Sequence, residues 1–158
     1  MSDRARAQLD LARDILGLTT GRPRQIVLKR AISNAYYALF HCLAESNANM
    51  LVGGPNSDRS DPAWIQAYRA LVHRKAKDKF RKQDPMRRFP KELRQFADEF
   101  CEAQLQREEA EYNPASRFAL QEVEWRLMSV EQAITDFLTV PKKHRRAFAI
   151  YLLTEFRK

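Results

Sequence analysis

The 158-residue sequence predicts an all-α fold, an antiparallel bundle of about five helices with a further amphipathic helix at its C-terminus. Apolar residues recur at helical spacing along most of the chain, no segment alternates long enough to argue a strand, and Gly and Pro gather between the periodic runs. The first helix is expected over Asp3 to Leu16, where Ala5, Leu9, Ala12 and Leu16 set an apolar stripe that Leu11 and Ile15 widen. Gly17, Gly21 and Pro23 punctuate the chain next, and Pro23 suits a first helical turn, where its missing N–H is no loss. From there the second helix runs to about Ser46. Asn47 to Pro62, with Gly53, Gly54 and Pro55, reads as loop, and Asp61 is placed to cap a third helix that has Pro62 at its first position. That third helix is expected over Ala63 to Arg81, closed by the turn-like Gln83-Asp84-Pro85. A fourth starts near Pro90 and stops before Asn113-Pro114, because a residue preceding proline avoids the helical region. The fifth, Ala115 to Leu138, carries Phe118, Val123, Leu127, Val130, Ile134 and Phe137. Pro141 separates it from the last helix, Arg145 to Phe156. Residues 1–140 are thus read as the bundle, and residues 141–158 as a basic helix that docks on it or exchanges between copies.

Composition narrows the class. The hydrophobic share of 44% suffices for a core, and the mean hydropathy of -0.59 reflects 30% charged residues, so disorder is not indicated. No run approaches the roughly 18 apolar residues of a membrane span, and the N-terminus has no apolar signal core, which points to a cytoplasmic protein without a membrane partner. Cys42 and Cys101 both fall in apolar helical contexts and read as buried thiols. With no CxxC and only His41, His73 and His144 as imidazoles, neither a metal site nor a cofactor is expected.

Charge suggests the partner. The chain carries a formal +8 with a pI near 9.8. Between residues 69 and 94 the bases Arg69, Arg74, Lys75, Lys77, Lys79, Arg81, Lys82, Arg87, Arg88, Lys91 and Arg94 face only Asp78, Asp84 and Glu92, an excess equal to the whole net charge. Phosphate backbones reward such clusters through counterion release, so Arg69, His73, Arg74, Lys75, Lys77 and Lys79 form a candidate nucleic-acid patch. The plainer reading is a solvated helix face. Lys142, Lys143, Arg145 and Arg146 make a second basic block, and Asp98 to Glu111 an acidic one.

The most informative stretch is Arg30 to Glu45, RAISNAYYALFHCLAE. Arg30, Asn34, Tyr37 and His41 follow one another at steps of four, three and four, which stacks them on one face beside Ile32, Ala35, Tyr36, Leu39, Phe40 and Leu43. Polar groups at the edge of a packed face need partners. The seam is either a satisfied network that sets helix register or the wall of a pocket.

The string AISNAYYALFHCLAE resembles the second helix of the HEPN superfamily (higher eukaryotes and prokaryotes nucleotide-binding), whose small bacterial members carry a similar A-Y-Y-A-x-F-H pattern. Arg107-Glu-Glu-Ala-Glu-Tyr112 is similar to the R-x-x-A-D-Y motif that such members place later in the chain, with Glu111 where Asp is usual. The resemblance covers about residues 1 to 140. It implies a helical bundle that forms a homodimer and, in many members, metal-independent RNA cleavage by an R-x(4–6)-H motif at the dimer cleft. Here Tyr112 stands where that motif would place its histidine, and none follows until His144, so the family's catalytic histidine cannot be carried over. His73 follows Arg69 at a spacing one residue too short and in a different segment.

Three expectations follow. The chain binds RNA or a nucleotide through the basic patch and a seam of Arg30, Asn34, Tyr37, His41, Arg107 and Tyr112, as a dimer in a defence or toxin–antitoxin type system. Alternatively it is a non-catalytic interaction or dimerisation module, in which the second-helix face and Arg107 build a dimer or partner interface and the charge only aids solubility. In the third, His41 with Arg107 or Tyr112 cleaves RNA, since metal-free cleavage needs a group near neutral pKa and a cation for the phosphorane.

Overall fold

In the computed structural model, which describes residues 1–155, the chain is an all-helical bundle with no strand among those residues. In order the helices are α1 (Asp3–Gly17), α2 (Gln25–Leu51), α3 (Asp61–Arg69), α4 (His73–Phe80), α5 (Gln83–Met86), α6 (Lys91–Tyr112), α7 (Leu120–Thr139) and α8 (Lys142–Leu153). The 27 residues of α2 span about 40 Å at the helical rise and form the axis, touching α1, α3, α6, α7 and α8. Fully buried Tyr36, Phe96, Phe100, Phe137 and Phe148 fill the space around it. Each contributes on the order of 1.5–3 kcal/mol by leaving water.

Caps and core contacts move several boundaries from where the sequence alone puts them. The second helix does not stop at Ser46. Ser46, Asn47 and Ala48 are buried, and the helix runs on until Gly53, whose φ of +126° only glycine adopts easily. Its neighbour α3 is capped by Ser60, whose hydroxyl accepts from Ala63 N at 3.3 Å, and Asp61 is its first residue.

The expected third helix is two. Leu71 turns into the core at 5% exposure and Val72 is extended (φ -115°, ψ 126°), so the chain breaks after Ala70 and restarts as α4 at His73. Gln83–Met86, expected as a turn, forms one helical turn. The fifth helix starts at Leu120 instead of Ala115, because Phe118 plugs the core and its backbone is bracketed by Gln25: the Gln25 amide donates to Phe118 O, and Phe118 N donates back, both at 2.9 Å.

α8 begins at Lys142, before the expected Arg145, and packs on its own bundle through Phe148, which stacks on Phe80 with centroids 5.5 Å apart. The expected end of this helix at Phe156 lies outside the described residues. No described helix is long and apolar enough to cross a membrane.

Candidate functional site

The break at Leu71 matters because it aims His73 back at α2. There the imidazole stacks on Phe40, with centroids 4.1 Å apart, and its Nδ1 is hydrogen-bonded to the hydroxyl of buried Tyr36. From the opposite side α6 brings Arg107, whose guanidinium carbon lies 5.4 Å from the ring centroids of both Tyr36 and Tyr37. Cation–π contacts at that distance hold a guanidinium without consuming its N–H donors. Arg107 also pairs with Glu111 one turn on, at 2.9 Å.

A second imidazole lies across Phe40. His41 is 5.9 Å from the Phe40 centroid, and its Nδ1 bonds the Tyr68 hydroxyl, over whose ring Arg4 sits at 5.2 Å. The two histidines therefore flank one phenyl ring, each with a tyrosine on Nδ1 and an arginine nearby. Burial lowers the His73 pKa, Arg107 lowers it further, and His41 adds to the same effect. Burial, then Arg4, lowers that of His41. Both shifts favour the neutral imidazole, and in the tautomer whose Nδ1–H donates to the tyrosine oxygen the Nε2 atom is left to accept a proton.

An open groove of about 630 Å³ between α4 and α6 reaches the His73 and Arg107 side of this cluster but not His41, and is lined by His73, Arg74, Gln104, Arg107, Glu108, Glu109, Tyr112 and Asn113. Tyr112 projects from its end with 73% exposure. Gln104 is almost fully buried in its wall, and its side-chain oxygen has no hydrogen-bond partner.

The structure sorts the predicted residues. It sets His41 and His73 against Phe40, with Tyr37 near both imidazoles and Arg107 over the Tyr37 ring, and puts Arg74 and Tyr112 on the groove. It does not unite the whole seam, because Arg30 is exposed while Asn34 is buried with its side-chain nitrogen unpartnered. Within the basic patch, Arg69, Arg74 and Lys75 are exposed and Lys77 reaches Glu108 at 3.8 Å.

Lys79 does not belong to an exposed patch. It is 8% exposed, and its ammonium donates to Tyr151 O at 2.8 Å and to Thr154 O, closing the end of α8. A cation suits the negative end of a helix, which satisfies this buried charge. Sequence reasoning passed over Tyr36, Phe40 and Tyr68 as site residues, because each looks like ordinary apolar lining. It placed His73 in the patch without linking it to Arg107.

Among the described residues no three His, Cys, Asp or Glu side chains come together as metal ligands. Fold and site together define a helical bundle with a histidine–tyrosine–arginine groove. Compared with known proteins, the chain matches no family model, no curated protein and no solved structure.

Proposed function

We propose that the chain is a HEPN-like dimeric protein that binds RNA or a nucleotide in the α4–α6 groove, as part of a defence or toxin–antitoxin type system. The observation that carries this reading is the convergence of Arg107, Arg74 and neutral His73 on one open groove that ends in an exposed tyrosine. Guanidinium groups bind phosphate oxygens through paired N–H donors, and an exposed ring supplies a stacking face for a base. Exposed Arg69 and Lys75, outside the groove lining, add further positive charge to the surface. Filter binding of a single-stranded RNA against salt tests it. Affinity should fall steeply with salt, and the slope should flatten in Arg74→Ala/Lys75→Ala. Absence of binding at low salt would leave the partner-protein module as the better reading.

A specific observation also favours metal-independent RNA cleavage, with His73 in the place that the sequence offered to His41. His73 and Arg107 line the same groove, whereas His41 does not line it and Arg4 sits over its partner Tyr68. In this reading the imidazole accepts the proton of the ribose 2′-hydroxyl as it attacks phosphorus, and Arg107 stabilises the charge on the phosphorane. The P–O5′ bond then breaks to leave a 2′,3′-cyclic phosphate and a 5′-oxygen that takes the proton from the imidazolium or from water. Cleavage in the presence of a chelator, abolished in both His73→Ala and Arg107→Ala, is the expected result. Undiminished cleavage by either variant would assign the activity to a contaminant.

A further inference from the structure

Helix α7 carries two large apolar side chains that its own bundle leaves in water. Trp125 and Met128 are 59% and 66% exposed and lie one turn apart, which sets them side by side as a ridge. A groove lies on each flank of this ridge, and Met128 lines both. The groove toward α6 has a volume of about 600 Å³. The one toward α1, of about 460 Å³, adds the apolar side chains of Leu16, Leu120 and Leu127. Singly scattered apolar residues are ordinary on a surface, whereas a joined ridge and grooves mark a place for a partner. Buried Arg126, tied to Glu99 and Gln106, lies 5.1 Å from the Trp125 ring centroid and holds the indole in place. A positioned, exposed Trp is the kind of anchor that dominates association energies, because little side-chain entropy is lost when it is covered.

Charge selects the occupant. Asp98, Glu102 and Asp136 line the larger groove and Glu124 the smaller, and none of the four is in a salt bridge among the described residues. Among those residues no Lys, Arg or His lines the larger groove, and Arg13, which lines the smaller, already pairs with Glu131 and Asp10. On a chain of net +8 this face therefore has the opposite sign to the whole. It repels a phosphate backbone, so it is no continuation of the RNA surface. Nor does the chain's own basic helix α8 suit it from a second copy, because Phe148, Ala149 and Leu152 already bury the apolar side of α8 in its own core.

We propose that the Trp125–Met128 ridge docks a cationic amphipathic helix of another protein. Apolar residues of that helix, spaced by three and four, pack over Trp125 and Met128, and flanking Lys or Arg meet Asp98, Glu102 and Asp136. The stretch from Trp125 to Asp136 is about 16 Å long at the helical rise, which matches an occupant of about three turns. This interaction goes beyond the RNA reading and does not depend on it.

Fluorescence anisotropy of a labelled peptide, titrated with the full chain, tests this. The probe is a peptide of about 14 residues with leucine on one helical stripe and lysine elsewhere, and its two controls carry serine for every leucine or glutamate for every lysine. The lysine–leucine peptide should bind, more weakly as salt rises, and both controls should bind at least about tenfold more weakly. Trp125→Ala, and separately Asp98→Lys/Glu102→Lys, should each raise its dissociation constant by about tenfold or more. All three positions are exposed, and unchanged circular dichroism confirms folding. No binding of the lysine–leucine peptide, binding that survives Trp125→Ala, or equal binding of either control would each overturn the proposal. So would a dimer that falls to monomer in Trp125→Ala by light scattering, since a second copy would then be the occupant. RNA affinity of Trp125→Ala should match the wild type, because Trp125 does not line the α4–α6 groove, and the two readings therefore fail separately.

Discussion

Arg126 and Arg107 look alike on paper, each an arginine on a long helix beside a glutamate, yet they belong to different parts of the molecule's economy. Arg126 on α7 bonds Glu99 and Gln106 of α6, is 4% exposed, and so ties two helices together. Arg107 has its carboxylate, Glu111, on its own helix, lies against two tyrosine rings, and faces an open groove. An ion pair within one helix holds no elements together. The tyrosine rings hold Arg107 against α2 through its guanidinium face, which leaves N–H donors not used by Glu111 to a ligand in the groove.

That contrast can be broken in stages. Arg126→Ala should have the largest effect on stability, about 3–5 kcal/mol by urea unfolding, because it strands Glu99 at the helix interface. RNA affinity per folded molecule should not change. Arg107→Ala should reverse the pattern, with about 1–2 kcal/mol of stability lost with its contacts to the tyrosine rings and RNA affinity down by roughly tenfold or more, the equivalent of one charged hydrogen bond. If Arg107→Ala unfolds the protein as Arg126→Ala does, the two arginines are the same kind of residue after all.

The histidines sharpen the comparison through pH. Burial depresses both folded pKa values, so as pH falls below the ordinary imidazole value of 6.5 the unfolded chain takes up protons that the folded chain resists. Stability should accordingly drop between neutral pH and mildly acidic pH. The drop should be shallower in a His41→Gln/His73→Gln variant, read as the thermal midpoint against pH. The smallest expected effect is that of Glu108→Gln, which removes a carboxylate from the groove and from Lys77. Affinity for RNA should rise a few-fold, with stability shifted by less than about 1 kcal/mol.

The fold class was legible because the helical period is written plainly in α1, α2, α6 and α7. The site was legible only in its halves. The seam of α2 and the arginine of α6 stand out as motifs, but the third contributor depends on the break between α3 and α4, where neither proline nor glycine marks the chain. Burial of Leu71 makes that break, and burial is a property of the assembled bundle. Lys79 is the opposite case. It shares its helix face with Ala76 and Phe80, both buried, so its inward direction could have been read from spacing, had charge not drawn it into the patch.

The Lys79 clamp turns the end of α8 into something a chemist can time. An amine enclosed by two carbonyl oxygens is a poor nucleophile toward acylating reagents until the last turn of α8 lifts away. The modification rate of Lys79, measured peptide by peptide against exposed Lys75, should therefore lag far behind it and report how often that helix end opens in the otherwise folded protein.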